Sequence, residues 1–152
     1  MNTNNAPNGA RAKGYANAVM AVGGRIYTAG MIGRDEREMV VSHRLDLQLA
    51  QALRNVVTVL AEGGAKPEHV VRMTIFITDR ASYLRLRDEL APIWKSIMGS
   101  HYPAISLVEV KALLNSSAFV EIEATAVVPE CGTASSRSDC PAGTTCPSAS
   151  RP

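Results

Sequence analysis

The sequence predicts an α+β domain, a mixed β-sheet with two helices packed on one face. Three observations predict it. Short β-prone runs recur along the chain, two amphipathic helical stripes interrupt them, and the chain is too short for two ordinary domains at 152 residues. The composition is globular, 46% apolar and 20% charged. Periodic apolar residues occupy 14–129; residues 1–13 read as a polar, Asn-rich arm, and 130–152 as a disordered Ser/Thr/Gly/Pro tail that buries too little to offset its ordering entropy.

The elements follow in order β-β-α-β-α-β-β. Val19–Val22 and Ile26–Ala29, split by Gly23-Gly24, form a hairpin. Residues 30–41 read as a charged, mobile loop. Leu45, Leu49, Leu53, Val56 and Leu60 then recur at helical spacing, with Ser42 as N-cap and Gly63-Gly64 as the stop. Val70–Ile77 is a β-branched central strand. Asp79 or Ser82 caps a second helix with the stripe Tyr83, Leu86, Leu90, Ile93/Trp94 and Ile97, and Pro92 is expected to kink it. His101-Tyr102-Pro103 breaks the chain before two last strands, Ile105–Val110 and Phe119–Val128.

Composition also narrows function. Sixteen basic and fourteen acidic residues leave a formal charge of +2. Without a concentrated positive field, nucleic acid is a poor candidate for the main partner. No apolar run approaches the roughly 20 residues of a membrane span. Met1–Asn5 lacks the features of a secretory signal, so a cytoplasmic location is expected. Cys131, Cys140 and Cys146 all lie in the tail at spacings that match no zinc pattern, and no metal site is expected. His43 and Asp46 stand three apart on a helix but lack a third ligand; His69 and His101 read as turn and loop residues.

The chemistry concentrates on the last strand. Alternation places Val120, Ile122, Ala124 and Ala126 on one side, under the helices, and Glu121, Glu123, Thr125 and Val127 on the other. The two carboxyls lie roughly 6.5–7 Å apart along the strand. Repulsion and partial burial raise the pKa of at least one, which suits it to proton transfer near neutrality. Ile105, Leu107 and Glu109 share a side of the preceding strand and are expected on this carboxylate face. A half-apolar face without helical cover points to self-association. An ion pair from Glu109 or Glu123 to a basic residue across a subunit contact is the plainer role for those two.

The segments Gly14–Val19, Thr28-Ala29-Gly30, Gln51–Val56, Tyr102-Pro103-Ala104, Val108-Glu109-Val110 and Glu121–Ala124 resemble, in order from Gly14 to Val128, the Rid (reactive intermediate deaminase, YjgF-type) family. The resemblance implies a chorismate-mutase-like fold and a homotrimer with small-molecule clefts between subunits. It also implies hydrolysis of reactive enamines or imines to a carbonyl product and ammonia, with no metal or organic cofactor. Within it, Glu121 matches the carboxylate that positions or activates water, and Tyr15 a tyrosine lining the cleft. Gly30 matches the cleft floor, and Ala29 stands where a serine is usual. Arg87 takes the place of an asparagine on the second helix. Ile105 replaces the arginine that clamps the substrate carboxylate, and Leu107 a neighbouring cysteine. Either the substrate lacks that carboxylate, or Arg87, Arg34 or Arg37 replaces the clamp. Ala29 and Ile105 each remove a polar handle, which also fits a trimeric binding or stress-protective protein without chemistry.

Overall fold

The computed structural model describes residues 17–129 in full and Asn2–Asn4 by their backbone pairing. Tyr15, Cys131, Cys140 and Cys146 lie outside the described residues. Seven strands form one mixed sheet: β1 (Asn2–Asn4), β2 (Ala18–Ala21), β3 (Arg25–Thr28), β4 (Met31–Ile32), β5 (Val70–Ile77), β6 (Ala104–Glu109) and β7 (Val120–Val127). Their order is β1-β2-β3-β7-β5-β6, with β4 continuing beside β7. All neighbours are antiparallel except β5 and β6, which run parallel. The helices are α1 (Leu45–Glu62), α2 (Arg80–Arg85) and α3 (Arg87–Met98).

The expected hairpin forms between β2 and β3, where Gly23 and Gly24 adopt φ of 80° and 68°. The expected α1 stripe is buried throughout: Leu45, Leu49, Leu53, Val56 and Leu60 pack with Val120, Ile122, Ala124 and Ala126 of β7. Period-2 burial of β7 thus follows the expected alternation. The helix stops at Gly63, whose N–H bonds the Leu60 carbonyl. Its N-cap is Arg44 instead of Ser42, because the chain is still extended there; the Ser42 hydroxyl instead accepts the Arg44 N–H at 3.1 Å.

Three other expectations are corrected. Residues 30–41 are not a free loop. β4 pairs with β7, and an Arg34–Val40 bridge closes a tight turn in which Asp35 Oδ1 accepts N–H groups of Arg37 and Met39. A two-residue strand carries no periodicity for the sequence to reveal. The second helix is broken at Leu86 (φ −93°, ψ 1°), not at Pro92, which continues inside α3. Asp79 caps α2 through the Ser82 N–H, and Glu109 Oε1 holds the Arg80 N–H at 2.8 Å, fixing α2 independently of α3. Finally, Asn2–Asn4, within the arm, pair with β2.

A further correction concerns faces. Register pairs Met73, Ile75 and Ile77 of β5 with Ala124, Ile122 and Val120 on the helical side, and the same three with Ile105, Leu107 and Glu109 of β6. Ile105 and Leu107 therefore lie on the helical side, not on the carboxylate face. They stay 41% and 36% exposed because β6 is an edge strand beyond the helices' reach. Glu109 serves α2 instead of a carboxylate cluster.

One buried amide locks the helix layer to the sheet. Gln48, fully buried, donates to the carbonyls of Ser42 and Ser117 and accepts the Phe119 N–H at 2.7 Å. It thereby ties the start of α1 to the entrance of β7. Gly33 permits this approach, since a β-carbon there would lie 2.5 Å from the Gln48 carbonyl oxygen. Gln48→Leu should preserve shape but strand three backbone groups. We expect a loss of about 2–4 kcal/mol, read as a lower urea midpoint with unchanged slope; an unchanged midpoint would show the amide to be dispensable.

Candidate functional site

Glu121 faces away from the helices, flanked in register by Ile32 of β4 and Phe76 of β5. Sequence reasoning assigned its apolar wall to Ile105 and Leu107; register gives that part to Ile32 and Phe76, and only pairing across β4 reveals it. The Glu121 side chain is half-buried and makes no ion pair among the described residues. Burial pushes its carboxyl above the ordinary range, and the Glu123 charge two residues along pushes the same way. Glu123 itself is exposed.

A β-bulge brings Gly30 to this carboxyl. Between the pairs Tyr27–Thr125 and Met31–Ile122, four residue steps oppose three, so one residue is extra. Thr28 Oγ1 accepts the Ala124 N–H at 2.8 Å and replaces the missing ladder bond. The displaced backbone at Gly30 abuts Glu121, and a β-carbon built there would overlap its carboxylate. Glycine is thus needed for the approach, not for its backbone freedom. Ala29, partly buried, is tied to β2 by its N–H bond to the Asn17 carbonyl. Along β7 from Glu121, an open depression of about 330 Å³ is lined by Tyr27, Thr28, Arg72, Thr74, Glu123 and Thr125.

The structure brings Gly30 against Glu121, packs the adjacent Ala29 on the core, and keeps Ile105, Leu107 and Arg87 apart from Glu121. Two strands separate β6 from β4, and Ile105 and Leu107 occupy the other face. Arg87 is exposed at the start of α3, on the helical layer. Arg34 is paired with Glu38 at 3.5 Å, and Arg37 is exposed in the closed turn. Asn17, a buried polar residue at the head of β2, was visible in the sequence only as part of a motif.

A second cavity of about 430 Å³ opens between α1 and α2, beside His43, Asp46, Asp79, Leu86 and Phe119. Its acids are committed. Asp46, which the helical spacing set beside His43, instead forms a two-point bond with Arg44 at 3.1 and 2.7 Å, and Asp79 caps α2. Both carboxyls lie below the ordinary range, held by the Arg44 guanidinium and the Ser82 donors. Such groups are fixed charges at neutral pH, poor at exchanging protons. His69 Nδ1 accepts the Lys66 N–H, and His101 Nε2 bonds the Val70 carbonyl at 2.7 Å. Among the described residues, no cluster of three or more metal-ligating side chains occurs, and no helix is long and apolar enough to cross a membrane.

Glu121 has a measurable thermodynamic signature. Its folded pKa is raised above the ordinary 4.5, so the folded chain holds the proton more tightly than the unfolded chain. Its contribution to stability is full below the unfolded pKa and is lost as pH rises through the folded one. Glu121→Gln should therefore be more stable than the parent at neutral pH, with the gain vanishing below about pH 4. Asp46 and Asp79 act in the opposite sense but cancel in this comparison. Equal thermal midpoints at all pH values would mean that the carboxyl is not desolvated.

Comparison with known proteins agrees with this fold. The family model for endoribonuclease L-PSP matches residues 3–128. The 2-iminobutanoate/2-iminopropanoate deaminase of Dermatophagoides farinae is 36% identical over 116 residues, covering 75% of this chain and 85% of its own. The human protein of the same name is 32% identical over 122 residues, covering 80% and 85%. The crystal structure of the Escherichia coli YjgF gene product superposes with a TM-score of 0.72 at 28% identity, covering 84% of this chain and 98% of that one. With the family model spanning nearly the whole described core, the chain belongs to the endoribonuclease L-PSP (YjgF/Rid) family.

Proposed function

We propose that this protein hydrolyses a reactive enamine or imine to a carbonyl compound and ammonia. The observation that carries the reading is Glu121: half-buried, outside any ion pair among the described residues, raised in pKa, and set against the Gly30 backbone. Relatives named as 2-iminobutanoate/2-iminopropanoate deaminases support the reaction class. The protonated carboxyl delivers a proton to the enamine carbon, giving an iminium. The resulting carboxylate then takes a proton from water as its oxygen adds to the neighbouring C=N carbon of the iminium, giving a carbinolamine. The carboxyl returns that proton to nitrogen, and the carbinolamine collapses. Its C–N bond breaks to release ammonia while the carboxylate takes the hydroxyl proton, leaving the carbonyl product and the protonated acid. One group thus serves as acid and base in turn. Tyr15 and the Ala29-Gly30 backbone hold the substrate.

The site in this reading is shared between copies of a homotrimer. Glu121 occupies the open sheet face, whereas Ile105, Leu107 and Arg87 occupy the helical side. One copy cannot fold both sides of its own sheet around one small molecule, so residues of both groups meet only if a second copy supplies one of them. The half-apolar open face, with Tyr27 46% and Val108 44% exposed, is the surface such packing would cover.

Ile105 sets the substrate class. It offers no donor where a guanidinium would hold a carboxylate with a bond of about 1.5–3 kcal/mol. The preferred substrate therefore lacks a free carboxylate at that end, unless the exposed Arg87 of a neighbouring copy supplies the clamp. The competing reading, a trimeric ligand-binding protein without turnover, draws on the same absence of polar handles at Ala29 and Ile105.

The test is ammonia release from imines generated in situ, with and without a carboxylate. Glu121→Gln should lower kcat about 10²–10⁴-fold with little change in KM, both proteins sedimenting as trimers of the 16.2 kDa chain. Retained activity would remove Glu121 from the mechanism, and binding without turnover in the parent would favour the competing reading. Ile105→Arg should raise kcat/KM for a 2-iminoacid about tenfold or more relative to an uncharged imine. No change in that ratio would place the carboxylate end elsewhere.

A further inference from the structure

Charge is ordered along the open depression that runs from Glu121 down β7. This depression of about 330 Å³ lies between two β-bulges. One is the bulge before Gly30; the other is in β5, where Val70 and Arg72 oppose the adjacent residues Ala126 and Thr125. Register sets out the floor. Thr74 stands opposite Glu123, and Arg72 and Tyr27 flank Thr125 from its two sides, all on the face of Glu121. Counting from Glu121, the first charged group is Glu123 and the next is Arg72. Those two are diagonal, not opposite, with α-carbons roughly 7–8 Å apart. Both are exposed and line the depression, and neither makes an ion pair among the described residues. Every lining residue belongs to one copy of the chain.

A guanidinium has donors only, in a planar fork that matches a carboxylate. The Thr125 hydroxyl beside it offers one more donor hydrogen. We propose that Arg72 binds a carboxylate at the far end of the substrate, which is therefore an enamine or imine whose acid group is distal to the reacting carbon. The assignment rests on the enamine/imine reading and adds the substrate class. Distance favours a distal acid. Four residues at about 3.3 Å each set Thr125 roughly 13 Å from Glu121 along the strand. A carboxylate bonded directly to the imine carbon is too short to bridge the two groups, whereas one carried several bonds away spans them. Charge order favours the same ligand. The iminium formed at Glu121 carries its positive charge on the Glu123 side, and the carboxylate lies beyond it at Arg72. The missing donor at Ile105 is then no handicap, because the acid end runs along the sheet and not toward β6.

The experiment uses stable ketones that stand for the carbonyl product, so that no ligand is consumed. Calorimetric titration of the full-length protein, at low ionic strength to limit screening, compares 5-oxohexanoate with 5-oxohexanamide. The two differ by a carboxylate against an uncharged amide at nearly equal size. The parent should prefer the acid about tenfold. Arg72→Gln should abolish that preference while leaving affinity for the amide within about twofold, which also guards against misfolding. Arg72→Lys keeps the charge and should keep part of the preference. Affinity for 2-oxobutanoate, whose carboxylate adjoins the ketone carbon, should be the same in the parent and in Arg72→Gln. A preference that is absent with Arg72 in place, or survives Arg72→Gln, would overturn the assignment. An equal loss of affinity for both acids would overturn the distal placement. Failure of the deaminase reading is separate: it would show as no ammonia release by the parent protein, whatever the binding preference.

Discussion

Strand β7 constrains everything else. It is hydrogen-bonded on both edges, to β3 and β4 on one side and β5 on the other. Its side chains therefore have no freedom except to alternate. Burying Val120, Ile122, Ala124 and Ala126 under α1 obliges Glu121 and Glu123 to face the other way. A register slip of one residue would drive two carboxyls into the core. The large apolar burial on one side thus fixes, without further devices, where the acids stand on the other.

The bulge beside β7 converts that position into a site. An unbroken ladder would carry a side chain past Glu121; the extra residue places the bare Gly30 backbone there instead. Ile32 and Phe76 flank the carboxyl in register, and the resulting loss of water raises its pKa. This differs in kind from the cavity between α1 and α2. There, Arg44 and Ser82 hold Asp46 and Asp79 ionised. Opposite environments thus hold Asp46 and Asp79 as fixed charges and favour the protonated form of Glu121.

The helix layer holds this arrangement steady. Gln48 secures the start of α1 to the entrance of β7, and Trp94 donates to the His101 carbonyl and stacks on Tyr102 with ring centres 5.5 Å apart. Those contacts fix the two ends of the sheet's central strands. Among the described residues the open face has no comparable cover, and the candidate site residues divide between it and the helical side. In the proposed reading, a pocket built from both groups requires a second copy of the chain.

Sequence alone determined the elements with a long period. The α1 stripe, the hairpin at Gly23-Gly24, the strand Val70–Ile77 and the alternation of the last strand all follow from local spacing, and Glu121 was legible as the acid of interest for that reason. Spacing says nothing about which strand lies beside which. The placement of Ile105 and Leu107 on the carboxylate face failed because parallel pairing with β5 sends them to the helical side. Short elements escaped too: β4, the closed turn at 33–41 and the break at Leu86 are held by nonlocal or single hydrogen bonds that leave no repeat. Tertiary structure decided the neighbours of Glu121 and brought Arg72 onto its face, because desolvation and strand pairing belong to packed surroundings and not to a residue's own identity.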